Sequence, residues 1–189
     1  ALVDMYAKCG ELGKAKEVFD KLPVRDIVSW TALIAGYAQY GYGEEALKCY
    51  EGMQGEGLDP NAITYVCILK ACGSTLELGF GRVLHHQIVA ESWLDLDVTI
   101  GTSLIDMYCK CEDLEDAHKI FSSMPKRNGV TFGAMISGYV RVGYVFLAFD
   151  LFERYRIEGS EPDKHTFSCI LKGCTTVGAA KEGKMVHNK

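Results

Sequence analysis

The chain has 189 residues, 48% of them hydrophobic, with a formal net charge of −5. That is enough for a sizeable core, and no apolar run approaches the roughly 18 residues of a membrane-spanning helix. The acidic balance excludes a uniformly basic nucleic-acid footprint and leaves room only for a local basic stripe.

The first element, Leu2-Val3-Asp4-Met5-Tyr6-Ala7-Lys8-Cys9, returns as Leu104-Ile105-Asp106-Met107-Tyr108-Cys109-Lys110-Cys111. The same offset carries Phe19 to Phe121, Pro23 to Pro125, Gly36 to Gly138, Pro60 to Pro162 and His85 to His187. The chain is therefore a tandem array. Each unit of an array cannot bury its apolar face alone, so the fold is a stack.

After a partial unit over 1–26, full units begin at Ile27, Ala62, Val98 and Gly129, and a last partial one at Lys164. Each predicts two helices. The first carries apolar residues at helical spacing, such as Leu33, Ile34 and Tyr37. A Gly-containing break follows, as at Gly41-Tyr42-Gly43, and the second helix spans Glu44 to Met53. Its Ala46, matched by Ala15, Ala117 and Ala148, suits close helix approach. Gly57 with Pro60, and Gly159 with Pro162, mark helix exits. Tyr6, Tyr37, Tyr108, Tyr139, Phe19 and Phe121 are expected in the core. No segment alternates with period two, so the fold class is all-α, a stack of helix-turn-helix repeats.

The eight cysteines fall largely at repeat-equivalent places (Cys9 and Cys111, Cys67 and Cys169, Cys72 and Cys174), and read as small buried thiols in a reducing compartment. Cys109 and Cys111 point about 200° apart on a helix, poor geometry for one metal ion. None of His85, His86, His118, His165 and His187 has Glu two residues on, and Cys-x-x-Cys is absent, so the zinc deaminase pattern is missing. Neither a P-loop nor a dinucleotide-binding glycine pattern occurs. The reading is a non-enzyme without cofactor or metal. Both ends stop inside a unit, so the chain reads as a fragment of a longer array, and its uncapped ends are expected to favour self-association.

The opening Val28-Ser29-Trp30-Thr31-Ala32-Leu33-Ile34, the Glu44-Glu45-Ala46-Leu47 second helix and the Gly-x-x-Pro-Asn/Asp exit resemble the pentatricopeptide repeat (PPR) family. The rotation of unit lengths and the Asp-Met-Tyr-x-Lys-Cys stretch are similar to its plant PLS subclass. On that resemblance the chain is one array: partial S motif 1–26, P 27–61, L 62–97, S 98–128, P 129–163 and partial L 164–189. The resemblance implies a right-handed superhelical solenoid that binds single-stranded RNA, one base per repeat. It also implies a mitochondrial or chloroplast setting and site recognition for C-to-U editing, with organellar editing-factor proteins as further partners.

By the family's rule, a motif's fifth and last residues read the base edge. These are Thr31 with Asn61, Val66 with Asp97, Thr102 with Asn128, and Gly133 with Asp163. Asp26 and Ser168 each lack a partner in the chain. Thr with Asn resembles the adenine-preferring pair, which gives 5′-A-N-A-3′ across 27–128. Val66 cannot hydrogen-bond, and Gly133 departs from the usual polar residue, so readout there is expected to be weak. The second residues, Val28, Ile63, Thr99, Val130 and His165, match the base-sandwiching position. Lys8, Lys110 and Arg141, late in their first helices, are the phosphate-contact candidates. Structural readings stand beside these. Asn61, Asn128, Asp97 and Asp163 precede helices and suit N-caps, the threonines suit helix packing, and the lysines suit a solvated face. The alternative function is a protein-interaction scaffold binding a peptide or partner subunit.

Overall fold

The computed structural model describes residues 2–157 and 164–176, which form helices joined by short turns, with no strand among them. They fall in two compact units, Ala1–Trp93 and Leu94–Lys189. In the first, α1 (Leu2–Lys8) pairs with α2 (Leu12–Asp20), α3 (Ile27–Gln39) with α4 (Gly43–Gly55), and α5 (Ala62–Thr75) with α6 (Leu78–Ala90). The leading helices α1, α3 and α5 pack side by side, and α2 and α4 each also touch the leading helix that follows. A single turn, α7 (Trp93–Leu96), comes next in the chain. The second unit repeats the plan. There α8 (Val98–Lys110) pairs with α9 (Leu114–Ser123) and α10 (Gly129–Val142) with α11 (Val145–Ile157), while α12 (Lys164–Thr176) packs on α10.

The same residue types recur at matching places in most of the hairpins. Ala15, Ala46, Ala117 and Ala148 are all wholly buried, so the second helices approach as closely as their small residue predicted. Paired aliphatic residues (Leu33 with Ile34, Ile68 with Leu69, Leu104 with Ile105) are likewise sealed on the leading helices. Each such side chain contributes about 1.5–3 kcal/mol of burial. Leading helices meet at glycine. A Cβ on Gly36 would stand 2.8 Å from the Ala7 Cβ, and one on Gly138 would collide with the Cys109 Sγ.

Hairpin turns use left-handed backbone. Gly10 closes the first with φ +80°. Its tandem counterpart, Glu112, takes φ 62° with a side chain present. That conformation costs a non-glycine residue about 1 kcal/mol, so the second copy of this turn is strained where the first is not.

Several expectations are corrected. Cys9 is exposed, and Cys111 is half-buried at the C-cap of α8, so these two are not interior thiols. Cys49, Cys72 and Cys109 are interior; burial pushes the Cys49 thiol up to about 11 and the Cys109 thiol up to about 12. Tyr6 and Tyr37 are half-buried rather than core, unlike Tyr108, Phe19 and Phe121. The short helix α7 was not foreseen. Ser92, at φ 59°, turns the chain after α6, and Trp93 then docks edge-on against Tyr65. The Trp93 indole N–H donates to Glu91 at 2.7 Å.

Candidate nucleic-acid interface

The base-reading and base-sandwiching candidates collect at the N-terminal ends of the leading helices, because α3, α5, α8 and α10 each begin one residue after a capping Asp or Asn. Asp26, Asn61, Asp97 and Asn128 have extended backbone and cap α3, α5, α8 and α10 through a side-chain oxygen. Asn61 Oδ1 accepts the Thr64 backbone N–H at 2.9 Å, and Asn128 Oδ1 accepts that of Thr131 at 3.0 Å. Asp97 accepts from Thr99 N at 2.7 Å. Asp26 accepts from Ser29 N at 2.8 Å, and that backbone bond, then the Ser29 hydroxyl, holds its carboxyl below the usual range. The capping reading is therefore correct for Asn61, Asp97 and Asn128, and Asp26 caps in the same way. For the asparagines it does not exhaust the side chain, because capping uses only the oxygen and leaves the amide N–H groups.

One of those N–H groups meets a candidate reader. Asn61 Nδ2 donates to Thr31 Oγ1 at 3.4 Å, so the structure brings this pair together. Thr102 and Asn128 converge on a shared neighbour instead: Thr131 Oγ1 lies 2.8 Å from Thr102 Oγ1 and 3.0 Å from Asn128 Oδ1. Thr31 and Thr102 are each 8% exposed, a narrow window rather than full burial. Gly133 is buried, and a Cβ there would lie 3.2 Å from Thr166 Oγ1. Val66 is half-buried and Ser168 exposed. Asp163 and the side chain of His165 lie outside the described residues.

The second-place residues behave unlike core. Val28, Ile63 and Val130 are 63%, 61% and 66% exposed at the same helical place, and Thr99 is exposed too. Val28 and Thr31 stand three residues apart and share a face of α3. Lys8 and Lys110 sit in the last turns of α1 and α8, held to Asp4 at 2.8 Å and Asp106 at 2.6 Å. Arg141, at the equivalent place on α10, is exposed.

Sequence reasoning missed the threonines Thr64 and Thr131, which link the readers to the caps. The signal was present: a hydroxyl stands third in the leading helix at Ser29, Thr64, Thr131 and Thr166. Among the described residues no cluster of His, Cys, Asp or Glu is arranged to hold a metal ion. His118 Nδ1 lies 2.9 Å from the Tyr139 hydroxyl, a structural contact between α9 and α10.

A model of the PPR repeat family matches residues 25–74 and 127–176, and a PPR repeat model matches 1–27 and 102–129. A chloroplastic pentatricopeptide repeat-containing protein of Arabidopsis thaliana is 39% identical over 188 residues, covering all of this chain and 30% of its own length. A mitochondrial one from the same plant is 36% identical over 187 residues, covering 99% of the chain and 34% of its own length. The chain thus spans about a quarter to a third of the curated relatives it matches. Among solved structures, the pentatricopeptide repeat protein PPR10 in complex with an 18-nt psaJ RNA element superposes with a TM-score of 0.82 at 20% identity, covering 98% of this chain and 28% of that one. A nuclear proteinaceous RNase P of A. thaliana gives a TM-score of 0.69 at 10% identity over 90% of this chain and 40% of its own. At those identities the likeness is one of fold.

Proposed function

Because the chain belongs to the pentatricopeptide repeat family, we propose that it binds single-stranded RNA, one base per helical repeat, through the N-terminal turns of its leading helices. The reading rests on one observation above all. A hydroxyl and an amide separated by thirty residues, Thr31 and Asn61, are joined at a narrow opening in the first unit, and Thr102 and Asn128 share a partner in the second. Side chains that can both donate and accept suit a base edge. Exposed Val28, Ile63 and Val130 offer stiff apolar surfaces to base faces.

In this reading the motifs run 1–26, 27–61, 62–97, 98–128, 129–163 and 164–189, in the order S, P, L, S, P, L. The base preference across 27–128 is 5′-A-N-A-3′, with Val66 and Asp97 facing the unselected base. Relatives named as chloroplastic and mitochondrial support a role in an organelle. The outcome we favour is site recognition for C-to-U editing, with the chemistry supplied by residues or partners other than these.

The test is a fluorescence-anisotropy titration with two short RNAs that differ only as A-N-A and C-N-C in the same flanks. Tighter binding of A-N-A, lost when Asn61 and Asn128 are replaced by Ala, is the expected result. Equal, salt-sensitive binding of both RNAs would leave a backbone binder without base reading. Absence of binding at low salt would favour a surface that takes a protein partner.

A further inference from the structure

Thr64 and Thr131 are wholly buried, yet each touches both members of a proposed reading pair. In the first unit the contacts close a ring. Thr64 Oγ1 lies 3.1 Å from Asn61 Oδ1 and 2.8 Å from Thr31 Oγ1, and Asn61 Nδ2 lies 3.4 Å from Thr31 Oγ1. An amide oxygen only accepts, so the single hydroxyl proton of Thr64 goes to Asn61. The 2.8 Å contact is then made by the proton of Thr31. The Asn61 amide cannot turn over, because the same oxygen also takes the Thr64 backbone N–H at 2.9 Å.

The second unit fixes the same direction independently. Thr131 Oγ1 accepts the Asn128 backbone N–H at 3.3 Å and stands 3.0 Å from Asn128 Oδ1. Its proton must go to Asn128, and Thr102 must donate at 2.8 Å. With these bonds made, Thr31 has given away its proton and keeps one lone pair, while Asn61 keeps one amide N–H. The functions left over on the pair are thus one acceptor on Thr31 and one donor on Asn61, with no freedom to exchange them.

We propose, on the RNA reading above, that Thr64 and Thr131 are specificity-determining positioning residues, contributed by the helix that follows each reading pair. Their hydroxyls fix Thr31 and Thr102 as donors inward and so as acceptors toward a base, beside amides already oriented by the Thr64 and Thr131 backbone N–H groups. Adenine presents an amino donor beside a ring-nitrogen acceptor, and guanine presents a carbonyl acceptor beside a ring N–H donor in the opposite order. A pair with fixed polarity distinguishes the two, whereas a threonine hydroxyl free to rotate donates or accepts and so tolerates either base. Elsewhere Ile100, without a hydroxyl, follows Val66, without one too, whereas Thr166 follows Gly133, so the third-place hydroxyl recurs even where the fifth residue has none to orient.

The test titrates the chain with two RNAs that differ only as A or G at the base assigned to 27–61. Parent, Thr64→Val and Thr64→Ser are compared, with circular dichroism to establish folding. Loss of one oriented hydrogen bond predicts that Thr64→Val lowers the A-over-G preference about fivefold, with a smaller change in affinity for A. Thr64→Ser should restore the preference, which a purely structural role would not require. Thr131→Val, read at the base assigned to 98–128, gives a second determination should Thr64→Val fail to fold. An unchanged preference in a folded valine variant overturns the inference, as does a parent that binds RNA without preferring A to G. Failure of the parent to bind either RNA defeats the RNA reading itself, a separate result.

Discussion

Glu56, at the end of α4, takes the Trp30 indole N–H at 2.9 Å and the Arg25 guanidinium at 3.1 Å. The indole bond first, and then Arg25, hold its carboxyl below the ordinary value. A lowered carboxylate adds stability that is fully present above the unfolded pKa and is lost as pH falls through the folded one. Glu56→Gln should therefore show a smaller fall in Tm between pH 7 and pH 3 than the parent; parallel curves would remove Glu56 from the acid limb. Thiols give a second residue-scale prediction. Exposed Cys9 should react with a thiol reagent in the folded protein, whereas Cys109, buried and pushed up to about 12, should react only on unfolding. Equal rates would contradict the packing around Cys109. Sequence alone placed Cys9 with the interior thiols because its repeat pattern reads as helical, whereas α1 ends at Lys8 and Cys9 falls in the exposed turn before α2.

Between elements, glycine sets how near two leading helices come. Gly138→Ala forces a methyl into Cys109 and should destabilise the chain by about 1–3 kcal/mol. Removing the sulfur with Cys109→Ala should recover part of that loss in a double-mutant cycle, since the Cys109 Cβ would still lie 2.7 Å away. Additive losses in thermal melts would show that the two residues do not couple. Much at this scale was legible: tandem spacing gave the helix pairs, the sealed alanines and the Gly36–Gly138 equivalence. The reason for that equivalence was not, because close approach involves Ala7 and Cys109, far away in sequence. The same limit hid Thr64 and Thr131. Their chemistry was visible as a recurring hydroxyl, but joining Thr31 to Thr64 requires knowing that α3 lies beside α5. The turn α7 escaped because its anchors, Tyr65 and Glu91, stand outside it.

For the molecule as a whole, a net charge of −5 means that the proposed RNA affinity must come from a few well-placed cations. Lys8 and Lys110 already hold Asp4 and Asp106, but surface pairs four residues apart on a helix are worth only about 0.3–0.5 kcal/mol, and a phosphate can displace them. Replacing Lys110 with Ala should lower the slope of log affinity against log salt by about 0.7 and weaken A-N-A and C-N-C RNAs equally. A change in the ratio between the two RNAs would instead place Lys110 among the base readers. All-α architecture and family membership were readable from the repeat itself, since a motif recurring along the chain leaves little choice of fold.

The hydrogen-bonded ring around Asn61 crosses a boundary that the sequence draws elsewhere. In the proposed motif frame, Thr31 belongs to one repeat, Asn61 closes it, and Thr64 stands third in the next. A segment cut at residues 27 and 61 and moved into another array would carry its two proposed readers and leave the polarity of Thr31 to whatever third residue awaits it. A transplant meant to preserve base choice needs its seams inside the first turn of a helix, beyond Thr64, where the covalent repeat and the functional one coincide.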